Sequence, residues 1–205
     1  MALRITGGNL RGRHIHVPDR ALRPTQDCVR AAIFSSLAEV IPSARVVDLF
    51  AGSGAIGIEA FSRGAAYVCL VEQNRKVFSV LKRNIRDVCK EKHIDKTASA
   101  DEFLSPKIQL ISDDVMHFLR HSQKVKPCDI IFADPPYNQE GCWLKRILPV
   151  LAEESILKQK GLFVMEQDVH ASFQHSAKWF LLKRRIYGDT QICIFRKNNI
   201  YKKVK

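Results

Sequence analysis

Two periods of apolar residues alternate along the chain. Nearly continuous apolar runs at 44–50, 66–72, 107–112, 128–134 and 161–167 read as buried strands. Between them lie stretches with helical spacing. The first, 26–41, has Val29, Ile33, Leu37, Val40 and Ile41 on one face, with Pro24-Thr25 as its start. Others are predicted at 54–64, closing at Gly64, at 74–91, over about 114–121, and at 142–157. Before them, 3–6 and 13–17 read as two short strands around a glycine-containing turn. After them, 178–197 reads as two strands turning at Gly188-Asp189. Buried strands alternating with helices imply an α/β fold whose parallel sheet is covered on both faces. The closing pair has no helix between its strands, so it is antiparallel or at an edge.

Charge changes this picture. The chain has 205 residues, with 33 Lys+Arg against 21 Asp+Glu, a net charge of +12. Residues 1–30 hold six Arg against Asp19 and Asp27, and residues 178–205 hold nine cations against Asp189 alone, while 31–177 balances. A neutral middle with two basic ends predicts a face that meets a polyanion. Six cysteines without a C-x-x-C pair suit neither a zinc site nor a disulfide framework, and predict reduced thiols. The chain has no membrane-spanning apolar run and starts without a signal-peptide core, so a cytoplasmic protein is expected.

Candidate chemistry gathers at strand ends. Gly52, Gly54 and Gly57 fit G-x-G-x-x-G between the first long strand and its helix, and Glu72 ends the next strand. Backbone there can approach a ligand, and the acid can hold both hydroxyls of an adenosine ribose. Such a loop also suits a nicotinamide dinucleotide, and glycines before helices also arise for packing. Asp48, just ahead of the loop, would repel a pyrophosphate and favour a cationic ligand such as S-adenosylmethionine. A Walker loop is excluded because no Gly-Lys-Ser/Thr follows. Asp113-Asp114 ends the third strand. Asp114 suits an adenine amine, with Val115 against the ring, and equally suits a helix cap. The fourth strand stops at Asp134-Pro135-Pro136-Tyr137, where two prolines forbid further pairing. Asp134 and the Pro135 carbonyl can accept both N–H groups of an exocyclic base amine, and Tyr137 can stack on an unstacked base.

These motifs resemble those of class I S-adenosylmethionine-dependent methyltransferases. "RITGGNLRGR", "LRPTQDCVRAAIF", "SRGAA" and "YGDT" make the resemblance narrower, to the bacterial 16S ribosomal RNA guanine-N2 methyltransferase family, over most of 1–195. The resemblance implies a Rossmann-like, doubly wound seven-stranded sheet, mostly parallel with an antiparallel C-terminal strand. It implies a basic RNA-contacting extension at 1–25 and a methyltransferase domain at 26–205. It implies Asp134, Pro135 and Tyr137 at the target guanine, and donor contacts at Asp48, Phe50, Gly52, Gly54, Glu72, Asp114 and Val115. It further supports 16S ribosomal RNA within a small-subunit assembly intermediate as the substrate, and a monomer is expected. Arg11, Arg13, Arg23 and Arg30 are the candidate phosphate contacts. Cys28 stands where the family is expected to have another Arg, and 90–107 reads as a surface insertion. A DNA adenine methyltransferase shares the DPPY site, but no residues remain for its target-recognition region. A non-catalytic RNA-binding module is the remaining alternative.

Overall fold

The computed structural model describes residues 2–17, 27–89, 108–121, 125–136, 143–171 and 176–198. It opens with an antiparallel hairpin, β1 (Ala2–Arg4) and β2 (His14–His16), around a 3-10 turn at Gly8–Leu10. Then follow α1 (Asp27–Ser36), β3 (Arg45–Asp48), α2 (Ala55–Ser62), β4 (Tyr67–Val71) and α3 (Arg75–Cys89). Next come β5 (Ile108–Ile111), α4 (Val115–Arg120), β6 (Cys128–Ala133) and α5 (Trp143–Glu153). The chain closes with β7 (Leu157–Asp168), β8 (Trp179–Tyr187) and β9 (Thr190–Lys197).

The last seven strands form one sheet in the order β5-β4-β3-β6-β7-β9-β8. β3 to β7 run parallel, and β9 runs opposite to both strands beside it, β7 and β8, which is the expected seven-stranded arrangement. The chain winds outward from β3 to β5, then crosses back to place β6 on the other side of β3. Ligands of such sheets collect beyond the carboxyl ends of the strands at this reversal.

Each sheet face carries its own core. One joins α1, α2 and α3 to Val46, Leu70 and Phe132, and also takes in Leu3, Ile5, Leu10 and Ile15 of the hairpin. The other joins α4 and α5 to Val47, Ile131 and Phe163. The hairpin is therefore built into the α/β core, and the domain boundary expected at 25 lies outside the described residues.

Two elements differ from the sequence pattern. The helix expected over 26–41 stops at Ser36. The apolar spacing persists because Leu37 and Ile41 are buried, but Leu37 and Val40 donate to carbonyls three residues back, and Pro42 ends the turn. β7 starts four residues before the predicted strand, because the exposed Lys158–Lys160 run hides its first segment. Of the described cysteines, Cys69, Cys128 and Cys193 are buried free thiols and Cys28 is exposed. Burial pushes the Cys69 and Cys128 thiols up to about 12, so they pack as apolar groups.

Candidate active site

Four consecutive strands, β5, β4, β3 and β6, end in acids on one edge of the sheet. Asp48 is level with Leu70 on one side and Phe132 on the other. It is 2% exposed and accepts a bond from the Gly57 amide at 3.1 Å. Burial pushes its carboxyl up to about 7, Asp134 and Glu72 push in the same direction, and the Gly57 and Phe50 amides pull back. Three carboxylates thus share one pocket of field. A cationic ligand relieves that field, whereas a pyrophosphate worsens it.

The loop after β3 is pinned to both neighbours. Leu49 donates to the Phe132 carbonyl and Ala51 to the Val71 carbonyl, each at 3.0 Å. Gly52 and Gly54 have φ of +55° and +86°, which an L side chain resists. A Cβ at Gly54 would also lie 2.5 Å from Leu81 of α3, whereas one at Gly52 would meet open space beyond the Phe50 carbonyl. Gly52 is therefore where the loop backbone stays open to a ligand. Its amide donates to Glu72 Oε2 at 3.1 Å, and Asn74 donates to Glu72 Oε1 at 2.7 Å. Each oxygen keeps acceptor capacity for a hydroxyl.

Asp114 caps α4, with Oδ1 accepting from the Met116 and His117 amides at 2.9 Å each. Among the described residues no hydrogen bond engages Oδ2, so capping leaves an acceptor for an amine. Val115 is buried in the core, so its side chain offers little surface to a ring. Phe50 is half-buried and meets the Trp143 ring edge-on, 4.9 Å between centroids. Asp134 is half-buried directly after β6, Pro135 is buried and Pro136 exposed. Tyr137 and Arg23 lie outside the described residues.

The arginine expectations divide. Arg11 is exposed at the end of the 3-10 turn. Arg13 donates to the Val88 carbonyl at 2.9 Å, tying the hairpin to the end of α3. Arg30 is no phosphate contact. It is 0% exposed, pairs with Asp27 at 2.8 Å and Glu59 at 3.5 Å, and donates to the Arg4 carbonyl. Glu59 in turn accepts from Arg63 and from the amide and hydroxyl of Thr6, at 2.7–2.8 Å. A lone acid inside the apolar helix "AIGIEAFS" was the signal for this network, since a buried charge requires partners.

Sequence reasoning also missed Trp143, which covers Phe50 and keeps a buried indole Nε1 with no hydrogen-bond partner among the described residues. It missed His117 too, whose Nδ1 meets Asp113 at 2.7 Å beside the Asp114 cap.

The family described as "Conserved hypothetical protein 95" matches residues 3–196. The chain belongs to this family. "Ribosomal RNA small subunit methyltransferase D" of Buchnera aphidicola is 34% identical over 194 residues, covering 93% of this chain and 91% of the relative. The Escherichia coli K12 protein of the same name is 34% identical over 197 residues, covering 95% and 90%. The solved structure of yhhF from Escherichia coli superposes with a TM-score of 0.78 at 31% identity, covering 97% of this chain and 99% of that one. The family and the fold agree with the resemblance drawn from the motifs.

Proposed function

We propose that the protein transfers a methyl group from S-adenosylmethionine to the exocyclic N2 of a guanine in 16S ribosomal RNA. It is a methyltransferase and S-adenosylmethionine is its donor. The observation that carries this reading is the acid-ended row of strands at the sheet reversal, with a glycine loop and a buried Asp48 in the field of Asp134 and Glu72. Full-length relatives named as small-subunit ribosomal RNA methyltransferases support the RNA target.

When bound, the donor supplies a methyl group on a positively charged sulfur. Asp48 faces that positive ligand, with Phe50 beside the loop. Glu72 accepts from the ribose hydroxyls, Gly52 lets the backbone approach while Gly54 packs the loop on α3, and Asp114 Oδ2 accepts from the adenine amine. The residue after it, Val115, contributes backbone rather than a side-chain surface. At the acceptor, Asp134 and the Pro135 carbonyl hold the two N–H groups of guanine N2. That aims the nitrogen lone pair at the methyl and stabilises the positive charge forming on nitrogen. Asp134 or water then takes the surplus proton. Tyr137 stacks on the turned-out base.

Residues 1–25 act as the RNA-contacting extension of the 26–205 methyltransferase domain, through exposed Arg11 with Arg13 and Arg23. The protein works as a monomer in the cytoplasm, on an assembly intermediate of the small subunit.

Asp134→Ala tests the reading. Methyl transfer from labelled donor falls by at least about 100-fold, in line with losing an aimed electrostatic group. RNA affinity stays unchanged. Retained transfer, or a thermal shift with NAD and none with S-adenosylmethionine in the wild type, contradicts it. Equal labelling of naked 16S RNA and of assembled subunits contradicts the assembly-intermediate part alone.

A further inference from the structure

The basic C-terminal region contributes an edge strand whose cations have no role in the site described above. β8 pairs with β9 alone in the sheet. Its middle is Lys183-Arg184-Arg185. Arg184 is engaged, with Nε on Gln191 and a guanidinium nitrogen 3.3 Å from the Val169 carbonyl. Lys183 and Arg185 lie on the opposite face, along α1 beside Ala32, Ile33 and Ser36. Lys183 reaches the Ser36 hydroxyl at 3.0 Å, and among the described residues no acid lies within ion-pair distance of either cation.

Strand register sets where these cations stand. Ala133 pairs with Met165, Met165 with Cys193, and Cys193 with Arg184. The next row is Glu166, Ile192 and Arg185, and it continues to Asp134 one residue past the end of β6. Arg185 is therefore level with Asp134, three strands away, about 14 Å at the usual strand spacing. The hairpin packs in the core on the same sheet face as α1, against α2 and α3, with the turn bearing Arg11 beside Ser62 and Arg63 at the end of α2 remote from the glycine loop.

We infer that Lys183 and Arg185 of β8 form a second phosphate-binding flank, so that the RNA backbone crosses the active-site edge on the β8 side of Asp134. This rests on the RNA methyltransferase reading. The partner is a polyanion rather than a second copy. Antiparallel self-pairing centred on Lys183-Arg184-Arg185 would set like charges opposite one another.

Lys183→Ala plus Arg185→Ala tests this, with Lys82→Ala plus Arg83→Ala on exposed α3 as the charge-matched control. Binding to 16S ribosomal RNA is measured from about 50 to 200 mM salt without donor, alongside calorimetric donor binding and sedimentation. The β8 variant is expected to bind RNA about tenfold more weakly at low salt. Its log–log salt slope falls by about 1.4–1.8, the loss of two phosphate contacts. Its donor affinity stays unchanged, and the control loses less than about twofold. An RNA affinity equal to wild type, or an equal loss in the control, overturns the flank. Self-association of the β8 variant with unchanged RNA binding also overturns it, and shows that the cations only guard an unpaired edge. Failure of the wild type to bind donor sinks the methyltransferase reading alone, because RNA affinity is read without it.

Discussion

Asp48 shows how one residue carries both a cost and a use. Its carboxyl is pushed up to about 7 from 3.8 by burial and by the acids around it. A carboxyl whose pKa is higher folded than unfolded stabilises the fold fully below the unfolded value. That contribution is lost as pH rises through the folded one. Ligand-free protein should thus lose stability between pH 4 and 7, and Asp48→Asn should melt higher than wild type above pH 7. Binding a cation favours the ionised form, so donor affinity should rise with pH up to about 7, approaching tenfold per unit below it. Calorimetry across pH 5.5–8.5 checks this, and Asp48→Asn should bind more weakly with that slope abolished. Gly57 makes a different kind of demand. A Cβ there would lie 2.3 Å from Leu70, which is fully buried. Gly57→Ala should cost about 1–3 kcal/mol in denaturant unfolding, as overpacking does. At this scale the acids at strand ends were legible because chemistry fixed their type and spacing. The burial of Arg30 and the partnering of Trp143 with Phe50 were not, since both depend on contacts between elements remote in the chain.

The helices and strands couple the hairpin to the donor loop. Thr6 and Arg30 meet on Glu59 of α2, whose first turn opens from the glycine loop. Leu10 donates to Ser62 at 2.9 Å, and His16 exchanges bonds with Asn84 of α3, which also donates to the Ser53 carbonyl of the loop. Arg30→Met leaves Glu59 with Arg63 and Thr6 but removes a buried cation. Truncating one partner of a buried pair costs about 3–5 kcal/mol. For a chain of this size that lowers the melting temperature by about 6–20 °C. Differential scanning calorimetry checks it, and an unchanged melting point would show that the network contributes nothing net. Element order was readable because apolar runs and helical spacing differ in period, and most boundaries fell within a few residues. The end of α1 and the start of β7 were not readable, because apolar spacing survives a tightened turn and a polar run can still pair at a sheet's end.

For the whole molecule, charge and topology together define which way a nucleic acid lies. The doubly wound sheet puts four acids at one edge, and the strand register sets Arg185 of β8 level with Asp134 there. Arg11→Ala plus Arg13→Ala should weaken RNA binding and flatten its salt dependence while sparing donor affinity, since phosphate contacts carry the salt slope. Equal loss of donor binding would refute that division of labour. Fold class followed from alternation alone, whereas the strand order, the docking of the hairpin into the core and the level shared by Arg185 and Asp134 required the register. The central claim is methyl transfer to guanine N2 in this cleft. Purified protein, labelled S-adenosylmethionine and small subunits lacking the modification test it most directly, with nucleosides from digested 16S RNA identified by mass. The account predicts label in N2-methylguanosine at a single position, absent with Asp134→Ala. Label in methyladenosine or DNA, or none in guanosine, would contradict it.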